Sequence, residues 1–290
     1  MLLIWWLACF LWSGTFLFIK VGVAEIPPLS FAWVRLAIAL AVLVPLAAIR
    51  GDVAAVPRPL AARIFAAGIL LLGVNYGLLY WGARRIPSGL AAILQSATPI
   101  FALILGCLCG LERATMRKGL ALSLACFGVV VIFRLEIHVN GIEGLAGAAA
   151  VLASSLCVAS AYVWLKRARV SVHPLTVTAI QCAAGLAVLA PVALMIEGSP
   201  LAAEWSATSM MAVLYLAIGG SVFAFWLNYW LLQRIDASAM LMMGIAEVPI
   251  ALALGAIVLG ERLPSGTLTG AVAILAGVSM MTISRAAADA

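Results

Sequence analysis

The sequence predicts an all-α integral membrane protein: ten transmembrane helices forming two inverted five-helix repeats around a central cavity. Three observations predict this. Of 290 residues, 66% are hydrophobic and only 10% are charged, whereas an ordinary soluble domain carries about a quarter charged residues. The apolar residues fall into runs of spanning length, about 20 residues each, separated by charge and proline. The second half of the chain repeats the order of prolines, basic residues and aromatics found in the first. Such a composition excludes an ordinary soluble enzyme and a disordered chain. Ten spans would occupy roughly 200 residues, which leaves short connections and no sizeable extramembrane domain. The net charge of +6 is scattered in pairs and triplets. There is no basic stripe, so nucleic acid is not expected as a partner.

The runs are 2–23, 29–49, 61–83, 88–110, 117–133, 142–165, 174–196, 208–232, 238–259 and 265–284. Pro27-Pro28, Pro57, Pro59, Pro87, Pro174, Pro200 and Pro264 punctuate them, as breakers do at helix boundaries. The fifth run is short, and the third and eighth are long, so tilt is expected to vary. Residues 134–141, with Arg134, Glu136 and His138, read as a short loop. The first run lacks the basic start and cleavage site of a signal peptide and carries Lys20 near its end. It is expected to be a retained span.

With the N-terminus cytoplasmic, the inside segments hold eleven basic residues: Arg50, Arg58, Arg63, Arg113, Arg117, Lys118, Lys166, Arg167, Arg169, Arg234 and Arg285. The outside segments hold five, Lys20, Arg84, Arg85, Arg134 and Arg262, and Arg35 lies within a span. The bias places both termini inside, although the pair Arg84-Arg85 runs against it. The cysteines Cys9, Cys107, Cys109, Cys126, Cys157 and Cys182 all sit in apolar runs and read as packing residues, not as disulfides or a zinc site.

The repeat divides the chain at about residue 138, into 1–138 and 139–290. Residues 28–47, PLSFAWVRLAIALAVLVPLA, match residues 174–193, PLTVTAIQCAAGLAVLAPVA. This register pairs Pro28 with Pro174, Pro45 with Pro191 and Lys20 with Lys166. Three residues further on in offset, Tyr80-Trp81 pairs with Tyr229-Trp230, Arg85 with Arg234, Gly128 with Gly277, and Glu112-Arg113 with Glu261-Arg262. Pro99 pairs with Pro249 after one more residue of shift. Five spans per half is odd, so the second half enters the membrane from the opposite face. Inverted repeats recur in secondary transporters, where two halves pack around a site that can open to either side.

The stretches LWSGTFLFIKVGV (11–23), IPPLSFAWVRLAIA (26–39), PIFALILGCLCGLE (99–112) and PIALALGAIVLGE (249–261) resemble the drug/metabolite transporter superfamily, and within it the EamA-type ten-helix exporters. The resemblance covers nearly the whole chain. It implies ten helices with both termini cytoplasmic, in a bacterial cytoplasmic (inner) membrane. It also implies export of amino acids, related metabolites or drugs through a cavity lined mainly by spans 1, 3, 4, 6, 8 and 9. The first half departs at Gly110-Leu111-Glu112, where the second half has Leu259-Gly260-Glu261.

Two ionisable residues lie clearly within spans, and such residues are functional candidates by default. Glu247 is near the middle of span 9, two residues before Pro249. Pro249 frees an upstream carbonyl, and a carboxylate beside that weakened turn is placed to take a proton, a cation or a substrate amine. It is therefore the candidate for substrate binding and for coupling; the plainer alternative is a structural acid paired with a neighbouring helix. Arg35 lies about two turns into span 2, some 10 Å from its end at 1.5 Å per residue. A structural charge that snorkels to the interface is the expectation, with contact to a substrate anion as the alternative. Its repeat partner is Gln181.

Around these, Trp12, Thr15 and Phe16 lie on span 1, Asn75, Tyr76 and Tyr80 on span 3, and Gln95 and Thr98 on span 4. Ser155, Ser160 and Tyr162 lie on span 6, and Trp226, Asn228 and Tyr229 on span 8. Amides in lipid need partners, so they should face protein or a wet cavity. The substrate-binding set is accordingly Trp12, Thr15, Asn75, Tyr76, Tyr80, Gln95, Thr98, Tyr162, Asn228 and Glu247, a mixture of rings and amides suited to an amphipathic solute. Taken singly, each residue also fits interhelical glue or, for the rings, the interfacial belt expected of Trp5, Trp6, Trp81 and Trp230. Gly73/Gly77, Gly106/Gly110 and Gly266/Gly270 read as close-packing pairs. Thr115 and Ser265 read as caps. Glu112 and Glu261, just beyond span ends, are expected to meet water or arginine.

No Walker loop is present, so no ATP drive is expected from this chain. His138 and His173 are the two histidines and both fall in expected loops, so neither a zinc site nor a serine–histidine pair is foreseen, and no cofactor is called for. The expected partners are a small-molecule substrate and membrane lipid, with protons a candidate. The competing classes are an integral-membrane enzyme acting on a lipid, which would need clustered ionisable groups, and a non-transporting scaffold.

Overall fold

Long runs of Leu, Ala, Val and Ile with few breakers leave the backbone one way to satisfy its polar groups away from water, which is to form helices. The computed structural model describes residues 2–49, 56–111, 115–139, 141–167, 172–224, 226–227, 231 and 237–286, with the side chains of 2, 136–139, 237–242 and 281–286 outside that description. Several sequence expectations lie outside it too: Arg50, Arg113, Arg169 and Arg234, the residues Glu112, Asn228, Tyr229 and Trp230, and the side chains of Glu136, His138 and Arg285. Among the described residues the chain is helical and contains no strand.

The first half comprises α1 (Leu2–Glu25), α2 (Pro28–Ile49), α3 (Arg58–Gly68), α4 (Asn75–Ala83), α5 (Ser88–Gln95), α6 (Thr98–Leu108) and α7 (Met116–Val139). The second comprises α8 (Gly141–Arg167), α9 (Pro174–Ile196), α10 (Ala207–Leu214), α11 (Ala237–Leu259) and α12 (Ser265–Ala286). Among the described residues, seven helical segments are long and apolar enough to cross a membrane, and Ala207–Phe223, Met243–Leu259 and Ser265–Met280 are shorter apolar helices. The chain is an integral membrane protein.

Three expected details change. Residues 134–139 are not a loop: α7 continues to Val139 and α8 begins at Gly141, whose φ of 63° makes the sharp reversal only glycine takes readily. The third run is not one regular helix, because α3 passes into a π-helix at Ile69–Val74 before α4. A second π-helix, Tyr215–Phe223, follows α10 in the repeat-related position. The fourth run is broken between α5 and α6 at Ser96-Ala97. Despite the one-residue departure noted in the sequence, both runs that precede a Glu-Arg pair end in a left-handed glycine, Gly110 at φ 68° and Gly260 at φ 65°.

Repeat-related helices pack on one another and run antiparallel. Along α7 and α12, Gly277 faces Ala121 and Ala125, Gly270 faces Gly128 and Ile132, and Gly266 faces Leu135, so one number rises as the other falls. The α2–α9 pair behaves likewise, since Glu197 just after α9 accepts hydrogen bonds from Leu29 N and Ser30 N at the start of α2, at 3.0 and 2.7 Å. Other packings come in matched sets. The α1–α11 contact is mirrored by α8–α6, and α2 against the second π-helix by α9 against the first. Gly73 and Gly77 pack on α9 through Val188 and Leu189, as their spacing predicts.

The glycine seam makes the α7–α12 contact sensitive to volume. A Cβ at Gly277 would sit 2.6 Å from the Ala121 carbonyl oxygen. Gly277→Leu should therefore lower thermal stability in detergent, by about 1–3 kcal/mol for an overpacked contact. Gly119→Leu, which meets nothing within 4 Å, should stay within about 0.5 kcal/mol.

Candidate functional site

The helix breaks in the first half are held by side chains from other helices. At the α5–α6 break, Ser96 Oγ donates to Ile93 O at 2.6 Å and Thr98 Oγ1 to Gln95 O at 2.7 Å. Ser155 Oγ of α8 donates to Leu94 O at 3.2 Å and to Gln95 Oε1, which Ser154 also approaches. Gln95 and Thr98 are thus joined to the expected cavity residue Ser155, and they hold a broken helix against α8. Broken helices with polar closure are tolerated in a membrane where protein or a wet cavity surrounds them.

Arg35 does not reach for the aqueous edge. Its side chain is 3% exposed, Nη1 donates to Tyr80 OH at 2.7 Å, and Nε donates to Ser221 Oγ at 3.2 Å. The guanidinium carbon stands 4.8 Å from the centre of the Tyr76 ring, a cation–π arrangement. The Tyr76 and Tyr80 rings lie 5.5 Å apart, and Phe31 is 6.0 Å from Tyr80. Ser221 belongs to the second π-helix and donates to Leu216 O, five residues back. Tyr76 follows the first π-helix closely. Gly220 lies between Thr15 and Arg35, where a Cβ would be 2.9 Å from Thr15 Cγ2 and 3.3 Å from Arg35 Nη2. Arg35, Tyr76, Tyr80, Thr15 and Ser221 therefore converge, drawn from α1, α2, α4 and the second π-helix.

A second group surrounds Glu247 on α11. One carboxylate oxygen, Oε1, is buried and has no hydrogen-bond partner. Ser13 Oγ donates to the Glu247 backbone oxygen at 3.0 Å and to Cys9 O at 2.6 Å, which ties α1 to α11. Trp12 packs in the adjoining apolar cluster with Cys9, Leu227 and Met243, and its backbone oxygen accepts from Thr15 Oγ1 at 2.6 Å. Tyr162 of α8 bears on both groups electrostatically. It is 52% exposed, yet within electrostatic reach of both Tyr76 and Glu247. Arg35 and Glu247 do not pair directly. Asn75 is buried, donates Nδ2 to Leu71 O at 2.8 Å inside the π-helix, and leaves Oδ1 without a partner. Asn228 lies outside the described residues.

The face opposite the N-terminus, the distal face, carries features the sequence did not assign. Lys20 Nζ donates to the carbonyls of Ala83, Arg84 and Ile86 at 3.0, 3.2 and 2.8 Å. A cation there satisfies orphan carbonyls and complements the negative end of α4. Glu261, expected to meet water or arginine, is half-buried and reaches the start of α5. Its carboxylate accepts from Ser88 N, Ser88 Oγ and Gly89 N at 2.8, 2.8 and 3.4 Å, capping α5, and it lies within electrostatic reach of Lys20. Glu197 caps α2 in the same way, and Ser206 Oγ donates to Glu25. The signal available in the sequence was the pairing of Lys20 with Lys166 and of Glu261 with Glu112. Trp81 carries the Arg85 guanidinium over its ring at 3.5 Å. Thr115 Oγ1 accepts from Lys118 N at 3.4 Å, and the six cysteines are free.

Comparison with known proteins agrees with this architecture. The model of the EamA-like transporter family matches the chain twice, over residues 1–134 and 145–283. The uncharacterized transporter YoaV of Bacillus subtilis is 27% identical over 94% of this chain and 93% of its own length. The uncharacterized inner membrane transporter YedA of Escherichia coli K12 is 30% identical over 87% of this chain and 81% of its own. A probable amino-acid metabolite efflux pump of Salmonella typhimurium is 26% identical over 92% and 89%. A solved crystal structure superposes with a TM-score of 0.65 over 97% of this chain and 96% of that one, at 24% identity, which speaks to the fold alone. Two matches that together span nearly the whole chain place it in one family: the chain belongs to the EamA-like transporter family.

Proposed function

We propose that this chain is a secondary exporter of small amphipathic metabolites, amino acids and related compounds among them, that works by alternating access. In this reading ten spans form two inverted halves, 1–138 and 139–290, around a midplane site in a bacterial inner membrane, with both termini cytoplasmic. The observation that carries it is the antiparallel pairing of repeat-related helices, with buried polar residues of both halves meeting between them. The Salmonella relative named as an amino-acid metabolite efflux pump supports the substrate class. Rings and hydroxyls of Trp12, Thr15, Tyr76, Tyr80 and Tyr162 take the apolar body of the solute. Asn75, Gln95, Thr98 and Asn228 serve its polar ends, and Glu247 couples binding to a proton or to a substrate amine. An enzyme acting on a lipid would need ionisable groups gathered at one depth, and Arg35 and Glu247 instead stand apart.

The distal contacts supply the gate in this scheme. Lys20 and Glu261 fasten α1, α4, α5 and the end of α11 together, closing that face. The repeat partner of Lys20, Lys166, fastens the other face when the halves exchange conformations. Each state then breaks one set of charge-assisted hydrogen bonds and forms the other, so neither state is favoured by a large margin.

Two measurements test this. In proteoliposomes, labelled amino acids, nucleobases and organic cations should show saturable counterflow for at least one class, and Glu247→Gln should abolish any response of that flux to a pH gradient. Absence of exchange by folded protein for every class defeats the transporter reading, and an unchanged gradient response removes Glu247 from coupling. For the gate, Thr15→Cys in a background without native cysteines lies about 7 Å inward of Lys20 along α1. An impermeant maleimide added at the distal side should label it several-fold faster when Lys20→Met is present and slower with Lys166→Met. Shifts in the same direction would sink the exchange of gates.

A further inference from the structure

Arg35 is a buried cation with neutral company. Its hydrogen-bond partners are the hydroxyls of Tyr80 and Ser221, and its π partner is Tyr76. Among the described residues, the ionisable side chains acting on it electrostatically are Tyr76, Tyr80, Cys182 and Tyr215, with no carboxylate among them. Among the described residues, it makes no ion pair with a carboxylate. A buried charge is costly unless paired, and phenols supply hydrogen bonds but no opposite charge. A scaffold role alone would be filled as well by a neutral donor such as Gln, the residue at the repeat-related position, Gln181.

The local geometry leaves donors free to meet the missing charge. Nε and Nη1 are used, while Nη2 donates to no described group. The backbone facing Nη2 is Gly220, where a side chain would crowd it at 3.3 Å. The Tyr80 hydroxyl accepts from Nη1, so its own proton remains to be given. Two donors, Nη2 and the Tyr80 O–H, thus stand side by side among the rings of Phe31, Tyr76 and Tyr80. Both repeats contribute, because Ser221 and Gly220 belong to the second π-helix and the tyrosines follow the first. π-Turns gather at functional sites. Tyr162 is in electrostatic reach of Tyr76 here and of Glu247 in the other group.

We propose that Arg35 is the docking point for the negative group of the solute, with Nη2 and the Tyr80 hydroxyl as donors, and that the site therefore selects ring-bearing organic carboxylates over their neutral analogues. This deepens the transport reading and rests on it for physiological meaning, but it is tested by binding alone. The probes are 3-phenylpropionate and its uncharged amide, 3-phenylpropanamide, titrated against the purified protein in detergent with thermal unfolding as readout. The wild type should bind the carboxylate roughly tenfold or more tightly than the amide, the range of a charge-assisted pair. Arg35→Gln should bring the two within a few-fold, and Tyr80→Phe should narrow the gap with the fold intact. If Arg35→Gln does not fold, Arg35→Lys, which keeps the charge but loses the planar fork, should retain a reduced preference for the carboxylate. Equal binding of both probes by the wild type, no binding of either, or a preference untouched by Arg35→Gln or by Arg35→Lys and Tyr80→Phe together overturns the proposal. Because no membrane flux enters the readout, these outcomes stand apart from whether any solute is exchanged.

Discussion

Every backbone and side-chain polar group within lipid must find its partner inside the protein, and the rest of this structure follows from that constraint. Regular helix satisfies most of the backbone. The remainder is concentrated at helix ends and interruptions, and that is where the polar side chains are found. Lys20 takes three carbonyls at the end of α4, and Glu197 and Glu261 take the free amides that begin α2 and α5. Ser155 and Gln95 bridge the α5–α6 break. Side chains that could have been surface decoration in a soluble protein instead fasten one helix to another.

The same constraint explains why the unsatisfied groups draw attention. Glu247 Oε1 and Asn75 Oδ1 are buried without partners, and Arg35 is buried without an opposite charge. In a scaffold these would be expensive residues with nothing in return. In the proposed scheme their bonding is completed by a solute, and Tyr162 is in electrostatic reach of Tyr76 beside Arg35 and of Glu247. The two π-helices stand at repeat-related positions, and each packs against a helix of the other half, the first on α9 and the second on α2.

Glycine seams and polar ties divide the labour between stability and motion. The α7–α12 contact brings backbones together through Gly128, Gly270 and Gly277 and gives close dispersion packing that favours a fixed pair. The distal contacts depend on a few charged side chains at helix ends. Such contacts can be exchanged one set for another without unpacking a core, as the proposed alternating access requires.

Much of this was legible in the chain. Composition and run length dictated a helical membrane protein, because hydrocarbon admits few alternatives. The order of Pro28 and Pro174, Lys20 and Lys166, and Gly128 and Gly277 indicated two related halves. Glu247, Arg35, Tyr76 and Tyr80 stood out as polar residues where lipid penalises them. Their grouping was not legible, because span sequence carries no record of which face of one helix meets which face of another. Arg35 could snorkel or be buried by its position alone; only packing set it against Tyr80 and Ser221, 45 and 186 residues away. Glu261 looked like a solvated end residue until the α5 terminus was brought to it. The π-turns and the break at Ser96-Ala97 were likewise invisible, since their stability comes from neighbours such as Ser155. The sequence by itself determined what must be buried and that two halves must match. The tertiary structure alone decided which buried group answers which, because hydrophobic burial has no direction whereas hydrogen bonds and charges do.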